Sequence, residues 1–191
     1  MNKNQRFSWR LTILSVLVIL LGNAFAETIQ SRLEIASDKR NTVRFSGEHA
    51  GMTFEGKFET WQASLLLPPA TEPAIEATFD VSSAKTGDKT YDTTLIEEDW
   101  FDAANYPNAH FVSEKIVSRG DGEQFDVNGK LTIKNTTENV TFVLKRTGKG
   151  QLEASFSIDR LAFGMGVESD PNAEWVSQYI QIDLLLMEGG S

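Results

Sequence analysis

The sequence predicts an all-β protein, a single antiparallel barrel of roughly eight strands with one or two short helices in a connection. Three observations favour this class. Short segments alternate apolar and polar residues, turn-forming sequences separate them, and their number is enough to close a barrel around a small lumen. A β-sandwich is the alternative that the same pattern allows.

The first element is an N-terminal leader. Lys3, Arg6 and Arg10 give it a basic start, and an apolar run over 11–21 follows that is too short to span a bilayer. Ala24-Phe25-Ala26 then fits the small-x-small rule for cleavage. We expect residues 1–26 to be a signal peptide and residues 27–191 to form one exported domain in the periplasm. An uncleaved membrane anchor is the alternative.

Strands follow in order along the exported domain. We expect early strands at about 30–37, 42–48 and 57–67, where apolar residues alternate less regularly. The later strands alternate clearly, so that Ile75, Ala77 and Phe79 share one face of their segment. These segments read AIEATFDV, FDVNGKLTI, NVTFVLK, QLEASFSI and QYIQIDLLLM. Turn sequences at 68–73, 118–123, 134–139 and 147–151 separate them.

Two segments interrupt the alternation. The stretch GDKTYDTTLIEEDWFDAANYP has a helix-capping start, which predicts one short helix near 88–97 and then a turn up to Pro107. Residues 159–175 contain Gly164, Gly166 and Pro171, which predicts a long loop.

Composition excludes several classes of function. Removal of the leader takes away three basic residues and no acidic ones, so the net charge falls from −9 to −12. So acidic a domain argues against binding nucleic acid or anionic lipid surfaces. Without cysteine, a thiol nucleophile, a thiolate zinc site and an iron–sulfur cluster are excluded. We expect no metal and no cofactor.

The stretch EEDWFDAANYPNAHF, residues 97–111, combines carboxylates with His110. Such a combination forms either a metal or acid–base site or the polar part of a structural turn. Asp102 and Asn105 are turn formers before Tyr106-Pro107, and alternation places His110 opposite Phe111. We therefore expect a structural turn, with His110 on the outer face of the next strand.

Several motifs together resemble the YceI-like family. They are VRFSGEHAGMTFEGKFETW, VSSAKTGDKTYDTTLIEEDWFDAANYPNAHFVSEKI, FDVNGKLTIKNTTENVTFVLK and IDRLAFGMG, and the resemblance covers about residues 28–187. It implies an exported protein with a lipocalin-like barrel that binds polyisoprenoids. The Asp-Trp-Phe-Asp variant resembles a subgroup associated with membrane di-haem cytochromes. It implies a membrane partner, a cytochrome or another membrane protein. Edge strands can pair between copies, so both a monomer and a homodimer stay open.

An unusual number of inward-facing aromatic residues indicates an apolar cavity within such a barrel. With the resemblance, this gives a set of candidate ligand-binding residues: Phe45, His49, Met52, Phe54, Phe58, Trp61, Phe79, Tyr91, Asp92, Thr94, Leu95, Trp100, Phe111 and Phe163. The ligand implied is a long-chain apolar lipid, an isoprenoid quinone or a polyprenyl derivative.

The head-group candidates are His49, Tyr91, Asp92 and Thr94. Family members often have Arg and His where this chain has Tyr91 and Thr94, and a pyrophosphate favours basic side chains. We therefore expect a neutral head, such as a quinone. His49 fits a residue of the barrel rim equally well, whereas for Asp92 the role of a turn cap is favoured over one at the cavity mouth.

Three functions compete at this point. The first is an exported carrier that holds the lipid for transport, storage or stress protection. The second is a lipid-modifying enzyme that uses His49 and Asp92, although no activated serine or cysteine accompanies them. The third is a solid barrel that serves as an interaction module.

Overall fold

The computed structural model describes residues 32–120, 122–148 and 150–188. The predicted signal peptide lies outside these residues. The described part contains eleven strands: β1 (Leu33–Ala36), β2 (Thr42–His49), β3 (Met52–Phe58), β4 (Trp61–Leu66), β5 (Ala74–Asp80), β6 (Ala84–Lys85), β7 (Asn108–Ser118), β8 (Gln124–Ile133), β9 (Thr136–Thr147), β10 (Gln151–Asp159) and β11 (Tyr179–Met187).

The strands form one antiparallel sheet in the order β1-β4-β5-β7-β8-β9-β10-β11-β2-β3-β6. The all-β, antiparallel prediction is confirmed, but the closed barrel of eight strands is wrong. The sheet is instead a curled half-barrel of eleven strands, and the short strands β1 and β6 are its two ends.

Part of the error in the strand count is that the segment expected as one strand at 57–67 contains the end of β3, a corner and β4. These strands are not neighbours in the sheet. The corner contains neither glycine nor proline, and it is stabilised by Ser83, which is distant in sequence. The Ser83 carbonyl accepts a hydrogen bond from the Glu59 amide at 3.0 Å, and the Ser83 hydroxyl accepts one from the Thr60 amide at 3.0 Å. No local turn signal therefore marks it.

The β2–β3 hairpin fixes the position of His49. Its two turn residues, Ala50 and Gly51, have φ values of 51° and 78°. Positive φ at both positions matches the twist of a tight two-residue hairpin. His49 is consequently paired with Met52, and each alternate residue of β2 before His49 shares its face of the sheet.

One short helix, α1 (Lys89–Thr94), crosses one end of the curled sheet, in the connection where a helix near 88–97 was predicted. Its cap is Asp88, whose carboxylate accepts hydrogen bonds from the amides of Thr90 and Tyr91. A 3-10 turn over Val81–Ser83 precedes it. No helix in the described residues has the length and apolar character needed to cross a bilayer.

The long loop predicted at 159–175 is present and joins β10 to β11. It folds back over the same end of the sheet as α1. The Trp175 carbonyl accepts a hydrogen bond from the Ala50 amide at 2.8 Å, and the Ser177 amide donates to the Glu48 carbonyl at 3.0 Å. The loop and the β2–β3 hairpin are thus joined through their backbones beside His49.

Candidate functional site

The concave face of the sheet encloses an apolar cavity. Its volume is about 160 Å³. Side chains from nearly every long strand line it, and the lining is apolar throughout the described residues except for Arg160. A cavity with this wall retains apolar molecules by removing their surface from water.

Most of the predicted aromatic residues lie in this wall. The cavity is lined by the aromatic candidates Phe45, Phe54, Phe58, Trp61, Phe79, Trp100 and Phe111, and by Leu95. Several of the aromatic rings are in contact: the ring centroid of Phe58 lies 5.6 Å from that of Phe45 and 5.4 Å from that of Phe79. Further along the cavity Phe142 stacks on Phe156 at 4.7 Å. These last two aromatics were not among the candidates, although alternation places both inward.

A second, more polar pocket adjoins the cavity beneath α1. Its volume is about 270 Å³. Phe54, Leu95 and Trp100 line both spaces. The other residues around it contribute mainly hydroxyl and imidazole groups and are His49, Thr86, Thr90, Tyr91, Thr94 and Val176. The apolar cavity therefore shares one wall with a pocket that also presents hydroxyl and imidazole groups.

His49 and Tyr91 are the centre of the polar pocket. Nδ1 of His49 lies 2.7 Å from the Tyr91 hydroxyl, and the two rings meet edge to face at 5.3 Å. The Tyr91 ring also packs against Phe54 at 6.3 Å. The hairpin holds His49 and the capped helix holds Tyr91, so two separate elements meet to form the pair.

Asp92 lines neither the cavity nor the polar pocket. Its carboxylate instead accepts hydrogen bonds from the segment between β6 and α1. It accepts hydrogen bonds from the Thr86 amide at 2.7 Å and the Thr86 hydroxyl at 2.9 Å. Burial alone favours the protonated form, but these hydrogen bonds and the nearby charge of Lys85 outweigh it and lower the pKa of Asp92. This geometry is that of a turn cap.

Met52 and Phe163 also lie outside the lining of both spaces. Met52 shares the face of His49 but stands at the hairpin tip, with 66% of its surface exposed. Phe163 belongs to the β10–β11 loop, is 2% exposed and packs in the hydrophobic core. The structure gives neither residue a contact with the cavity.

Sequence reasoning missed Arg160 and Asp170. Arg160 is fully buried, lines the apolar cavity and pairs with the buried Asp170, with Nη2 2.7 Å from Oδ2. The guanidinium lies 5.4 Å from the ring centre of Trp100. Burial lowers the pKa of Arg160, although neighbouring carboxylates oppose the shift. Both residues belong to a loop without strand alternation, which gives no sign in sequence that they are buried.

Asp99 and His110 of the acidic stretch 97–111 make structural contacts, whereas its Trp100 and Phe111 line the cavity. Asp99 accepts hydrogen bonds from the amides of Glu168 and Ser169, both at 2.9 Å, and so ties this stretch to the β10–β11 loop. His110 is exposed and lies 3.2 Å from the hydroxyl of Thr78. Within the described ranges, no three potential metal-ligating side chains are grouped as a metal site.

Comparisons with known proteins agree with this architecture. The YceI-like domain family matches residues 35–187. Protein YceI of Escherichia coli O157:H7 is 25% identical over 186 residues, which cover 86% of this chain and 95% of that protein. A UPF0312 protein of Shewanella denitrificans is 26% identical over 113 residues, and the match spans 58% of this chain and 59% of that protein.

Two solved structures show the same fold. The crystal structure of BcnA from Burkholderia cenocepacia has a TM-score of 0.73 and 30% identity, covering 81% of this chain and all of that one. A polyisoprenoid binding domain from Saccharophagus degradans has a TM-score of 0.61 at 12% identity and covers 81% and 97% of the two chains. The family match spans most of the sequence, so this chain belongs to the YceI-like family.

Proposed function

We propose that this protein is an exported binding protein that holds a long isoprenoid-type lipid in its apolar cavity. The observation that carries the proposal is the pairing of an apolar cavity with a more polar pocket across a shared wall. The relative from Saccharophagus degradans is described as a polyisoprenoid binding domain, which supports the same class of ligand for this chain.

The apolar lining suits a hydrocarbon tail. Burial of each CH₂ group contributes about 0.8 kcal/mol, so a tail of several isoprene units binds without polar anchors. Arg160, the charged residue of the lining, already donates to Asp170 and to the carbonyls of Met165 and Val176. Its charge is therefore compensated, and it imposes no requirement for an anionic group inside the cavity.

The polar pocket suits a neutral head. Its described lining contains one imidazole, one phenol and three threonine hydroxyls, but neither lysine nor arginine. A pyrophosphate binds best to arginine forks or to a helix N-terminus, whereas a quinone carbonyl needs only one or two neutral donors. We therefore favour an isoprenoid quinone over a polyprenyl pyrophosphate.

The two competing functions have less support. An enzyme built on His49 and Asp92 requires the two to cooperate, yet His49 faces Tyr91 and Asp92 accepts from Thr86. A solid interaction module requires a filled interior, whereas this interior contains a cavity. The proposal includes periplasmic localisation through the leader, a membrane cytochrome or another membrane protein as partner, and transport, storage or stress protection as the task.

The first test is native mass spectrometry of protein purified from its own host. We expect an added mass that solvent extraction removes and that corresponds to an isoprenoid quinone. Titration of the extracted protein then compares a long-chain ubiquinone with a polyprenyl pyrophosphate. Quinones quench nearby tryptophans, and Trp61 and Trp100 line the cavity, whereas Trp175 is 62% exposed.

The Trp175→Phe variant is the matched control, and it should retain most of the quenching. Tight binding of the pyrophosphate without any quinone binding would contradict the proposed head group. Failure of the extracted protein to bind either lipid would contradict the proposed function as a whole.

A further inference from the structure

Strand β2 passes from the apolar cavity to the polar pocket. Its inward-facing positions are Val43, Phe45, Gly47 and His49. Val43 and Phe45 line the apolar cavity, and His49 lines the polar pocket. Gly47 lies between them along the strand and has no side chain. The inward row of β2 thus has a gap between the residues that line one chamber and the residue that lines the other.

The ring of Phe54 occupies the space over this gap. Phe54 is directly opposite Gly47 on β3. A Cβ atom at position 47 would lie 3.0 Å from Cζ of Phe54 and 3.1 Å from Cδ1 of Ile180. Carbon atoms prefer separations of about 3.5–4.0 Å, so a larger residue at 47 has to displace these side chains. Phe54 lines both chambers, and Ile180 lines the apolar cavity.

A second glycine on the neighbouring strand provides a comparison. Gly56 lies opposite Phe45, and a Cβ there would collide with the Phe45 ring. It would also lie 2.9 Å from the backbone carbonyl of Lys85. Gly56 is therefore required by the fold itself. At Gly47 the nearest atoms all belong to side chains, so its effect on the cavity is separable from folding.

We propose that a passage beside Phe54 connects the two chambers, and that Gly47 is a positioning residue that keeps this passage open by letting the Phe54 ring lie against β2. With the passage open, one ligand occupies both, its tail in the apolar cavity and its neutral head beside His49 and Tyr91. This inference rests on the proposed function for the nature of the ligand. It adds that selection for a head-bearing lipid depends on a residue that does not touch the head.

The test is the Gly47→Val variant, titrated with a long-chain ubiquinone and with squalene, an isoprenoid hydrocarbon without a head group. We expect the affinity for ubiquinone to fall about tenfold or more and that for squalene to change about threefold or less. Squalene needs only the apolar cavity, which explains the difference. The Ser46→Val variant, on the opposite face of the same strand, is the matched control and should bind both as wild type does.

A rescue experiment separates positioning from general damage. Replacing Phe54 by Leu in the Gly47→Val protein removes the displaced ring, so ubiquinone binding should recover by about fivefold or more. If Gly47→Val does not fold, Gly47→Ala, which needs only small shifts of Phe54 and Ile180, takes its place. Unchanged ubiquinone binding in the variant, equal losses for both ligands, or failure of the rescue would overturn the inference.

The crystal structure of the ligand-free variant makes the test independent of the ligand. We expect the Phe54 ring to move into the passage. If wild-type protein binds neither ubiquinone nor squalene, the proposed function fails. The position of Phe54 in the variant still decides the inference, because a ring in its original place contradicts it.

Discussion

Arg160 and Asp170 form a buried ion pair at one end of the cavity, with Nη2 2.7 Å from Oδ2. Arg160 also donates to the Met165 carbonyl at 2.7 Å and to the Val176 carbonyl at 2.9 Å. Asp170 accepts hydrogen bonds from backbone amides later in the same loop, including that of Val176 at 2.9 Å. The pair thus organises the β10–β11 loop that contributes Val176 to the polar pocket.

Removing the cation should strongly destabilise the fold. We expect Arg160→Met to lower the free energy of unfolding by about 3–5 kcal/mol, because it leaves Asp170 buried without its partner. Chemical denaturation measures the loss. Arg119→Met is the control, since the Arg119–Asp126 pair is exposed and solvent screening leaves such pairs little effect on stability. Similar losses in the two variants would show that burial does not set the strength of the first pair.

The Asp170 carboxylate should make this stability depend on pH. Burial favours its protonated form, but hydrogen bonds from the amides of Val176, Trp175 and Glu174 and the charge of Arg160 hold its pKa below the usual 3.8. A carboxyl group with a lowered folded pKa stabilises the fold above its unfolded pKa. That contribution is lost as the pH falls through the folded value.

The measurement that checks this is the free energy of unfolding by urea of wild type and of Asp170→Asn, between neutral pH and about pH 3. The variant should be clearly less stable at neutral pH, and the difference should shrink once the pH falls below about 4. Other carboxylates with lowered pKa values, such as Asp99, are present in both proteins and cancel in the difference. A difference that stays constant or widens on acidification would contradict the prediction.

The Tyr91 hydroxyl should contribute to head-group binding alone. Tyr91→Phe removes the group that lies 2.7 Å from Nδ1 of His49 while keeping the ring that packs on Phe54. We expect ubiquinone affinity to fall about three- to tenfold, the usual effect of losing one hydrogen bond, and squalene affinity to stay unchanged. Tryptophan quenching measures the former, and competition with ubiquinone measures the latter. Tyr179→Phe, at a tyrosine that is 62% exposed, should change neither affinity.

Filling the cavity should weaken the binding of long tails without harming the fold. Ala77 lines the cavity between Ala63 and Phe111, its partners on the flanking strands. Ala77→Leu extends into empty space, so the free energy of unfolding of ligand-free protein should not decrease. Affinity for a long-chain quinone should fall by about tenfold, and more than for a short-chain one. Thr78→Leu, at the adjacent position on the outer face, should bind both quinones normally.

The sequence by itself predicted the class of fold because strand alternation is a local property. The later strands β8, β10 and β11 were predicted to within one residue at each end, and the helical connection and the long loop were placed correctly. Most aromatic residues predicted to point inward line the cavity, since alternation alone fixes which face of a strand a side chain takes.

Only the tertiary structure decided how far each inward residue extends into the cavity. Met52 and Phe54 share one face of β3, yet Phe54 lines both chambers and Met52 is exposed at the hairpin tip. The corner at Glu59 depends on distant Ser83, and the burial of Arg160 depends on a partner supplied by a loop that folds back over it. These outcomes depend on contacts between segments far apart in sequence, and local alternation carries no information about which segments meet.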